Sequence, residues 1–423
     1  MTRRNVLVVG NGAREHALAW KLRQSSRVDR LFCAPGNGGT SAIAENVPVA
    51  ANQIDSLVEW SDRNDIGLVV VGPEEPLALG LVDRLTERGV LAFGPTAAAA
   101  RIESSKKWAK SLMFEARVPT AAYATFDAAA AAWDYARGQP YPLVLKVDGL
   151  AAGKGVVIAT TPDEAKAAIE AALEAQAFGE AGRVLVIEEF MVGEELSLLA
   201  FVDGRTVVPL VPARDHKRVG DDDAGPNTGG MGAIAPSHVA DQFGVDRLAA
   251  MILEPIANAL VDRGIPYRGV LYAGLMLTAA GPKVVEFNCR LGDPETQVLL
   301  PLLNEDLRDL VEATATGQLS PGPLRMKTGY CCGVVVVSEG YPGPYPTGLP
   351  ISGLERVDAD VLVFHAGTKL VNGAILTDGG RVLTVVGQGD TLEAARRRAY
   401  ANAERVHFAG AHYRRDIGRR EVR

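Results

Sequence analysis

Val284-Val285-Glu286-Phe287-Asn288-Cys289-Arg290 sets three polar side chains at alternate positions of an apolar run. Period two puts Glu286, Asn288 and Arg290 on one face of a strand and Cys289 on the other. A carboxylate and an amide oxygen side by side suit Mg²⁺, a hard cation that keeps water and phosphate oxygens around it. An arginine beside them can clamp a phosphoryl group in transfer. The plain alternative is an edge strand with a solvated face. Three different functional types running into Leu-Gly-Asp-Pro-Glu295 argue for the site.

A second stretch supplies cations. Lys146 lies late in an apolar run, and Gly149, Gly153, Lys154 and Gly155 follow before apolar residues resume at Val156. A phosphate loop of the Walker type needs four residues between its glycines and then a helix. Here three residues separate Gly149 from Gly153, and the chain returns to a strand. The pattern predicts a glycine hairpin folding over a triphosphate, with lysines at its edges. A surface hairpin with a solvated lysine is the bland alternative. Further on, Glu188-Glu189-Phe190 ends a strand and Glu194-Glu195 follows. Such a crossover can offer backbone groups to an adenine edge and a carboxylate to ribose hydroxyls. Alone it reads equally well as solvated glutamates in a loop.

Three turns near the N-terminus each follow a strand. In Gly10-Asn11-Gly12-Ala13-Arg14-Glu15-His16 the glycines open a helix and let an anion approach backbone N–H groups. A dinucleotide fingerprint wants glycine where Glu15 stands. A carboxylate fits a donor-rich sugar or amine better than a pyrophosphate. The turn holding Asn37, Gly38 and Thr40, and the turn Gly72-Pro73-Glu74, lie on the same edge. Ligands of open α/β sheets bind at strand C-terminal ends, so the three turns together build one pocket. Finally, Arg214-Asp215-His216-Lys217-Arg218 precedes a glycine-rich run from Gly220 to Gly232 that contains Gly230. So long a loop is costly to order without a ligand. It reads as a substrate-covering loop, with a disorder-prone linker as the alternative. His216 is a candidate acid or base, although charged-loop histidines are more often plain contacts.

These residues need elements to hold them. Strands are predicted at 6–9, 31–34, 68–71 and 91–94, with a helix at about 12–24; this alternation argues for a parallel sheet with crossover helices. Residues 119–190 read as a smaller α+β unit, with strands near 121–125, 143–147, 156–159 and 184–189 and helices at 127–137 and 162–175. More strands follow, including a pair at 270–288, and one long helix is predicted at about 241–262. A linker, SPGP, comes after Leu319. Residues 326–423 read as mostly β with a late helix near 392–406. The fold class is therefore multidomain α/β and α+β. The expected units are 1–103, 104–325 with a lid at 119–192, and 326–423.

Composition narrows the function. The chain has 423 residues, 47% of them hydrophobic, and a net charge of −7. That charge disfavours a nucleic-acid surface while leaving local phosphate sites open. No apolar run reaches the roughly 18 residues of a membrane span, and the opening MTRRNVLVVG ends in a turn, as a first strand does. Cys33, Cys289, Cys331 and Cys332 contain no CxxC pair, which points to a reduced, cytoplasmic protein without structural zinc.

The strings GNGAREHALAW, DGLAAGKGV, DHKRVGDDDAGPNTGGMGA and EFNCRLGDPETQ resemble those of the phosphoribosylamine–glycine ligases, a family of ATP-grasp enzymes. The likeness runs nearly end to end, through Phe364–Thr368 and Arg415–Gly418. It implies a pre-ATP-grasp N-terminal domain, an ATP-grasp core with a mobile lid, and a β-rich C-terminal domain. It also implies ATP contacts from Lys106, Lys146, Gly153, Lys154 and Gly155, and a hinge of Glu188, Phe190 and Glu195. Glu286 and Asn288 match the magnesium ligands, with Mn²⁺ as the alternative ion. The preceding strand, Leu271–Met276, carries no acid, so the metal count stays open. Gly12, Arg14, Glu15, Asn37, Gly38, Thr40, Glu74, Lys217, Gly230 and Asp293 would bind substrate. Lys146, Lys154, Arg290 and Asp215 would be catalytic.

The implied reaction joins glycine to 5-phosphoribosylamine with ATP, through a glycyl phosphate, in de novo purine synthesis. A monomer with no nucleic-acid or membrane partner, and no fused later-step enzyme, is expected. Another ATP-grasp ligase would keep the ATP residues and change the N-terminal turns. An NAD-dependent oxidoreductase explains the first turn alone. A non-catalytic nucleotide sensor leaves the metal and lysine positions without a task.

Overall fold

The computed structural model describes residues 4–150, 155–175 and 177–422. Val6 to Val9 are completely buried, as a strand covered on both faces must be. Their strand, Asn5–Gly10, is central in a five-stranded parallel sheet. Leu31–Pro35 and Ile66–Val71 flank it, and Glu45–Asn46 and Leu91–Phe93 form the edges. The first turn leads into the helix Ala13–Leu22, shorter at both ends than the 12–24 expected. All three N-terminal turns leave the C-terminal ends of these strands.

The lid is a separate antiparallel sheet. Its order is Tyr123–Phe126, Leu185–Glu189, Leu143–Val147, Val156–Ala159. The helices Ala129–Ala136 and Pro162–Ile169 cover it, the second with Thr161 as N-cap. Leu143, Leu145, Ile169 and Ile187 belong to a small apolar core distinct from the larger cores elsewhere. A unit with its own core can move as a body.

A third sheet, also antiparallel, runs Thr206–Pro209, Glu194–Asp203, Arg268–Thr278, Gly281–Asn288. The helix expected at 241–262 spans Val245–Asp262, with a π turn at Ala249–Leu253 immediately before Glu254-Pro255. Pro255 has no N–H to continue the ladder, which accounts for a local change of winding beside it.

The fourth sheet joins distant parts of the chain. Its order is Arg214–Asp215, Gly232–Ala235, Tyr330–Val337, Arg381–Gly389, Leu362–His365, with the helix Leu392–Ala403 packed on it. The segment expected to be one long loop thus contains two strands of the C-terminal sheet. Between them lies a hairpin, Arg218–Gly220 with Ala224–Asn227. Large cores weld the units together: one runs from Leu7 through Leu112 to Leu271 and Phe287, another from Val8 through Leu299 to Cys331 and Phe364.

Candidate active site

Between the lid, the third sheet and the N-terminal turns lies a cleft of about 570 Å³, in the range that encloses small ligands. Lid strands supply Lys146, Ile158 and Glu188, and the helix Lys106–Glu115 supplies Lys106 and Lys110. The last strand of the third sheet supplies Glu286 and Asn288. Arg381 and Tyr341 enter from the C-terminal unit.

At the lid end, Glu188 sits fully buried between two lysines. Lys146 Nζ is 2.9 Å from Oε2 and Lys110 Nζ is 3.1 Å from Oε1. Lys146 also donates to the Val285 carbonyl (3.0 Å), and Lys110 to Thr120 Oγ1 (2.7 Å). Burial pushes the Lys110 ammonium down to about 8, with Glu188 opposing. Burial likewise lowers Lys106, which donates to the Gly149 carbonyl at 3.2 Å. Lys110 escaped the sequence reading, although it stands one helical turn from Lys106 on the same face. Phe190, 40% exposed, ends this wall. Gly155 lines the cleft, whereas Gly153 and Lys154 lie outside the described residues.

The alternation of Glu286, Asn288 and Arg290 holds. All three line the cleft, and Cys289 is buried behind them in the core. Burial would raise the Glu286 carboxyl, but Lys217, Lys146, Lys106 and Arg290 outweigh it and hold it below its usual value. Among the described residues Glu286 has no partner at ion-pair distance, so a carboxylate held ionised by cations farther off faces the cleft. Asn288 Oδ1 accepts from Arg290 Nη2 at 3.0 Å and keeps a second lone pair. This donor set fits a divalent cation that draws its remaining ligands from phosphate and water. Among the described residues no group of three His, Cys, Asp or Glu side chains forms an all-protein cage. Arg290 is aimed by Glu103 (2.9 Å) and Glu74 (3.2 Å). Burial works against ionising Glu74, yet Arg290 and Arg14 hold it down to about 2. Glu103, another residue missed in sequence, also accepts from the Cys289 N–H (2.7 Å).

The opposite wall is acidic. Burial pushes Asp215 up to about 7, against Lys217, with Glu295, Glu195 and Glu286 adding to the rise. Lys217 Nζ lies 3.6 Å from Glu195 Oε2, and its ammonium is held well above its usual value by Asp215 and Glu195. Glu295 Oε1 accepts from Ser197 Oγ (2.8 Å) and Tyr272 OH (3.0 Å).

At the N-terminal end, Arg14, Glu74 and Asp293 line the cleft. Asp293 accepts from Arg381 Nη2 (3.0 Å) and Gln297 (2.7 Å), while Arg381 also donates to the Gly229 carbonyl (2.6 Å). The Gly229 N–H in turn donates to Tyr341 OH (3.0 Å). Arg381 and Tyr341 had no assignment from sequence; the Gly379-Gly380 pair ahead of Arg381 was the one available signal of a tight approach. Other expected residues lie behind the surface. Glu15 accepts from the Gly12 N–H and from Arg14 Nε, both at 2.6 Å. Asn37 Oδ1 accepts from the Gly39 and Thr40 N–H groups, and its amide donates to the His365 carbonyl (2.7 Å). Thr40 is fully buried, Gly38 N–H meets Thr368, and Gly230 packs on Pro294. These residues shape the turns, and Arg14, Glu74 and Asp293 present their side chains to the cleft.

A nucleotide-sized cleft between an antiparallel lid and a second antiparallel sheet, floored by lysines and an unpaired carboxylate, defines an ATP-grasp ligase. The matching family models agree: Phosphoribosylglycinamide synthetase N domain over residues 4–103, ATP-grasp (A) domain over 104–296 and C domain over 331–420. The chain belongs to the phosphoribosylamine–glycine ligase family and is an enzyme of that ligase class. It is 50% identical to the phosphoribosylamine–glycine ligase of Nostoc sp. over 98% of this chain and 99% of that one. It is also 50% identical to that of Synechocystis sp., over 99% and 100%. The crystal structure of the Thermotoga maritima enzyme superposes with a TM-score of 0.86 at 34% identity, covering 98% of this chain and all of the other. The biotin carboxylase domain of Hydrogenobacter thermophilus 2-oxoglutarate carboxylase shares the fold (TM-score 0.73, 17% identity, 97% of this chain and 92% of that one). ATP-grasp enzymes use ATP with a divalent metal ion. No helix among the described residues is long and apolar enough to cross a membrane.

Proposed function

We propose that this cleft joins glycine to 5-phosphoribosylamine in two steps, giving glycinamide ribonucleotide, ADP and phosphate for purine synthesis. The observation that carries the reading is the cation-rich floor. Lys106, Lys146 and Arg290 hold Glu286 ionised, while the nearby thiol, Cys289, is buried behind the strand. Such a floor suits phosphoryl transfer between bound substrates and offers no covalent nucleophile.

In the first step a glycine carboxylate oxygen bonds to the γ-phosphorus and the bond to the β–γ bridging oxygen breaks, releasing ADP. Lys106, Lys146 and Lys154 bind the phosphates, and Arg290, aimed by Glu74 and Glu103, faces the transferring group. Glu188, Phe190, Gly153, Gly155 and Glu195 complete the nucleotide end. In the second step the amine nitrogen bonds to the carboxyl carbon and phosphate leaves. Asp215, with its pKa near neutrality, takes the amine proton, which a group of that pKa does efficiently. Arg14, Glu74, Asp293 and Lys217 contact substrate, and Gly12, Glu15, Asn37, Gly38, Thr40 and Gly230 hold the turns that shape its pocket. Glu286 and Asn288 would hold the metal, which we take as Mg²⁺ with Mn²⁺ able to replace it, and which offsets phosphate charge when bound. The four free cysteines, all buried, support a cytoplasmic setting, and we take the working unit as a monomer.

The test is ADP release across a panel of carboxylates, with and without phosphoribosylamine. Release only when glycine and phosphoribosylamine are both present is expected. Turnover with bicarbonate or formate, and none with glycine, would overturn the reading.

A further inference from the structure

The hairpin between Arg218 and Asn227 has one end at the cleft and the other in the grip of the chain's last residues. At the cleft end, Lys217, Asn227, Thr228 and Gly229 line the wall. Thr228 bonds back to the Lys217 carbonyl through both its N–H (2.7 Å) and its hydroxyl (2.8 Å). At the far end, Asp221-Asp222-Asp223 makes the turn, and Asp222 and Asp223 both have positive φ (54° and 57°). Two successive non-glycine residues in the left-handed region are disfavoured and persist only where their surroundings hold them.

Here the surroundings are the C-terminal segment 412–422. Arg414, 1% exposed at its side chain, donates to the Arg218 carbonyl (3.0 Å) and to Asp223 Oδ1 (3.0 Å). Asp416 holds it in place with two 2.8 Å bonds. Asp416 also accepts from the Asp222 N–H (2.9 Å), and Asp221 accepts from the Arg415 N–H (2.7 Å). Arg419 pairs with Asp222, and Arg420 with Asp223. The grip extends to the catalytic strand: the Gly418 N–H donates to His216 Nε2 at 3.1 Å, between Asp215 and Lys217. Burial keeps His216 neutral at ordinary pH, with its value lowered to about 4, so Nε2 remains an acceptor.

We propose that the C-terminal segment is a positioning element of the active site. Through Arg414 it locks the aspartate turn at 221–223 and thereby sets the hairpin that brings Lys217 and Thr228 to the cleft. Arg414 is not among the residues lining the cleft and acts through the hairpin. The phosphate contacts on the lid and on the helix Lys106–Glu115 lie on other elements, and Glu195 is the nucleotide residue that Lys217 meets, so loosening the hairpin weakens the non-nucleotide side more than the nucleotide side. This selectivity rests on the reaction proposed above.

The experiment compares Arg414→Gln and Arg414→Lys with the wild type in the full chain, by amide exchange and by separate KM values. Arg414→Gln should speed exchange across 217–229 by about tenfold and raise the KM for phosphoribosylamine by about tenfold, a size seen for coupling through packed networks. The KM for ATP should stay within about twofold, and Arg414→Lys should recover part of both effects. If Arg414→Gln fails to fold, R419A/R420A, whose native side chains are more than half exposed, should show the same pattern at smaller amplitude. Wild-type exchange across 217–229 in whichever variant folds overturns the proposal, as does an equal loss for ATP and phosphoribosylamine. A wild-type enzyme that does not turn over phosphoribosylamine defeats the proposed reaction, and the exchange result still decides the positioning role.

Discussion

Glu188→Gln isolates the ion cluster at the base of the lid. The carboxylate is 2% exposed and lies 2.9 Å from Lys146 Nζ and 3.1 Å from Lys110 Nζ. At an effective dielectric of about 20, each pair at such a distance is worth about 5 kcal/mol of Coulomb energy before desolvation. Removing one partner of a buried pair typically destabilises by about 3–5 kcal/mol, because the remaining charge is stranded. The glutamine keeps one carbonyl acceptor, and Val285 and Thr120 still accept from the lysines. The expected loss is therefore at the low end, about 3 kcal/mol at pH 7 by urea unfolding. The pH dependence follows from Lys110, whose folded value is already about 8, lowered mainly by burial. With its folded pKa depressed below the unfolded one, the unfolded state binds more protons between the two values, so stability rises with pH in that window. In the variant Lys110 loses the charge that raised it and turns neutral at lower pH. In the wild type Lys110 turns neutral above about 8, and its pair with Glu188 vanishes. The gap should therefore be constant above about pH 8, where Lys110 is neutral in both proteins, and should narrow as pH rises from about 5 to about 8. A loss below about 1 kcal/mol, or a gap unchanged across that range, would refute the reasoning.

Glu286→Ala should lower kcat by at least about two orders of magnitude with the urea midpoint lowered only slightly, since the cations that hold the carboxylate ionised lie beyond ion-pair distance; near-wild-type turnover at ordinary magnesium would remove the metal assignment. Glycine carrying ¹⁸O in both carboxyl oxygens should deliver one label to inorganic phosphate, and Cys289→Ser should do the same; unlabelled phosphate would rule out the glycyl phosphate. In the proposed reaction the second step uses ionised Asp215 as the base, so kcat should fall as pH drops through about 7. Asp215→Asn should abolish that limb along with most of the activity, and a variant that retains it assigns the limb to another group.

The sequence pattern located the parts whose signals are local. Val6–Val9 announces a buried strand by its apolar run, and the alternation at 284–290 correctly separates Glu286, Asn288 and Arg290 from Cys289. Long-range pairing was invisible. Arg214–Asp215 and Gly232–Ala235 are short strands whose neighbours are set by residues far along the chain, so a glycine-rich run looked like a loop. Arg381, Tyr341 and Glu103 reach the cleft only because the units fold together, and no spacing near them encodes that meeting. The turn residues Glu15, Asn37 and Thr40 carry the right chemistry for ligands but use it to cap and brace backbone. Composition cannot distinguish those two uses.

The fourth sheet has a consequence for how the chain is made. Ala235 pairs with Cys331, so the strand next to Asp215 leaves the ribosome roughly a hundred residues before its partner. At about 5–20 residues per second, its edge stays open for on the order of 5–20 seconds. The strand Gly232–Ala235 is only four residues long, and a short edge is a poor template for pairing with other chains. The wall that carries Asp215 and Lys217 is thus assembled late, once most of the chain has emerged. A nascent fragment ending near residue 325 would hold Lys106, Lys110 and Lys146 with one wall of the cleft still unbuilt.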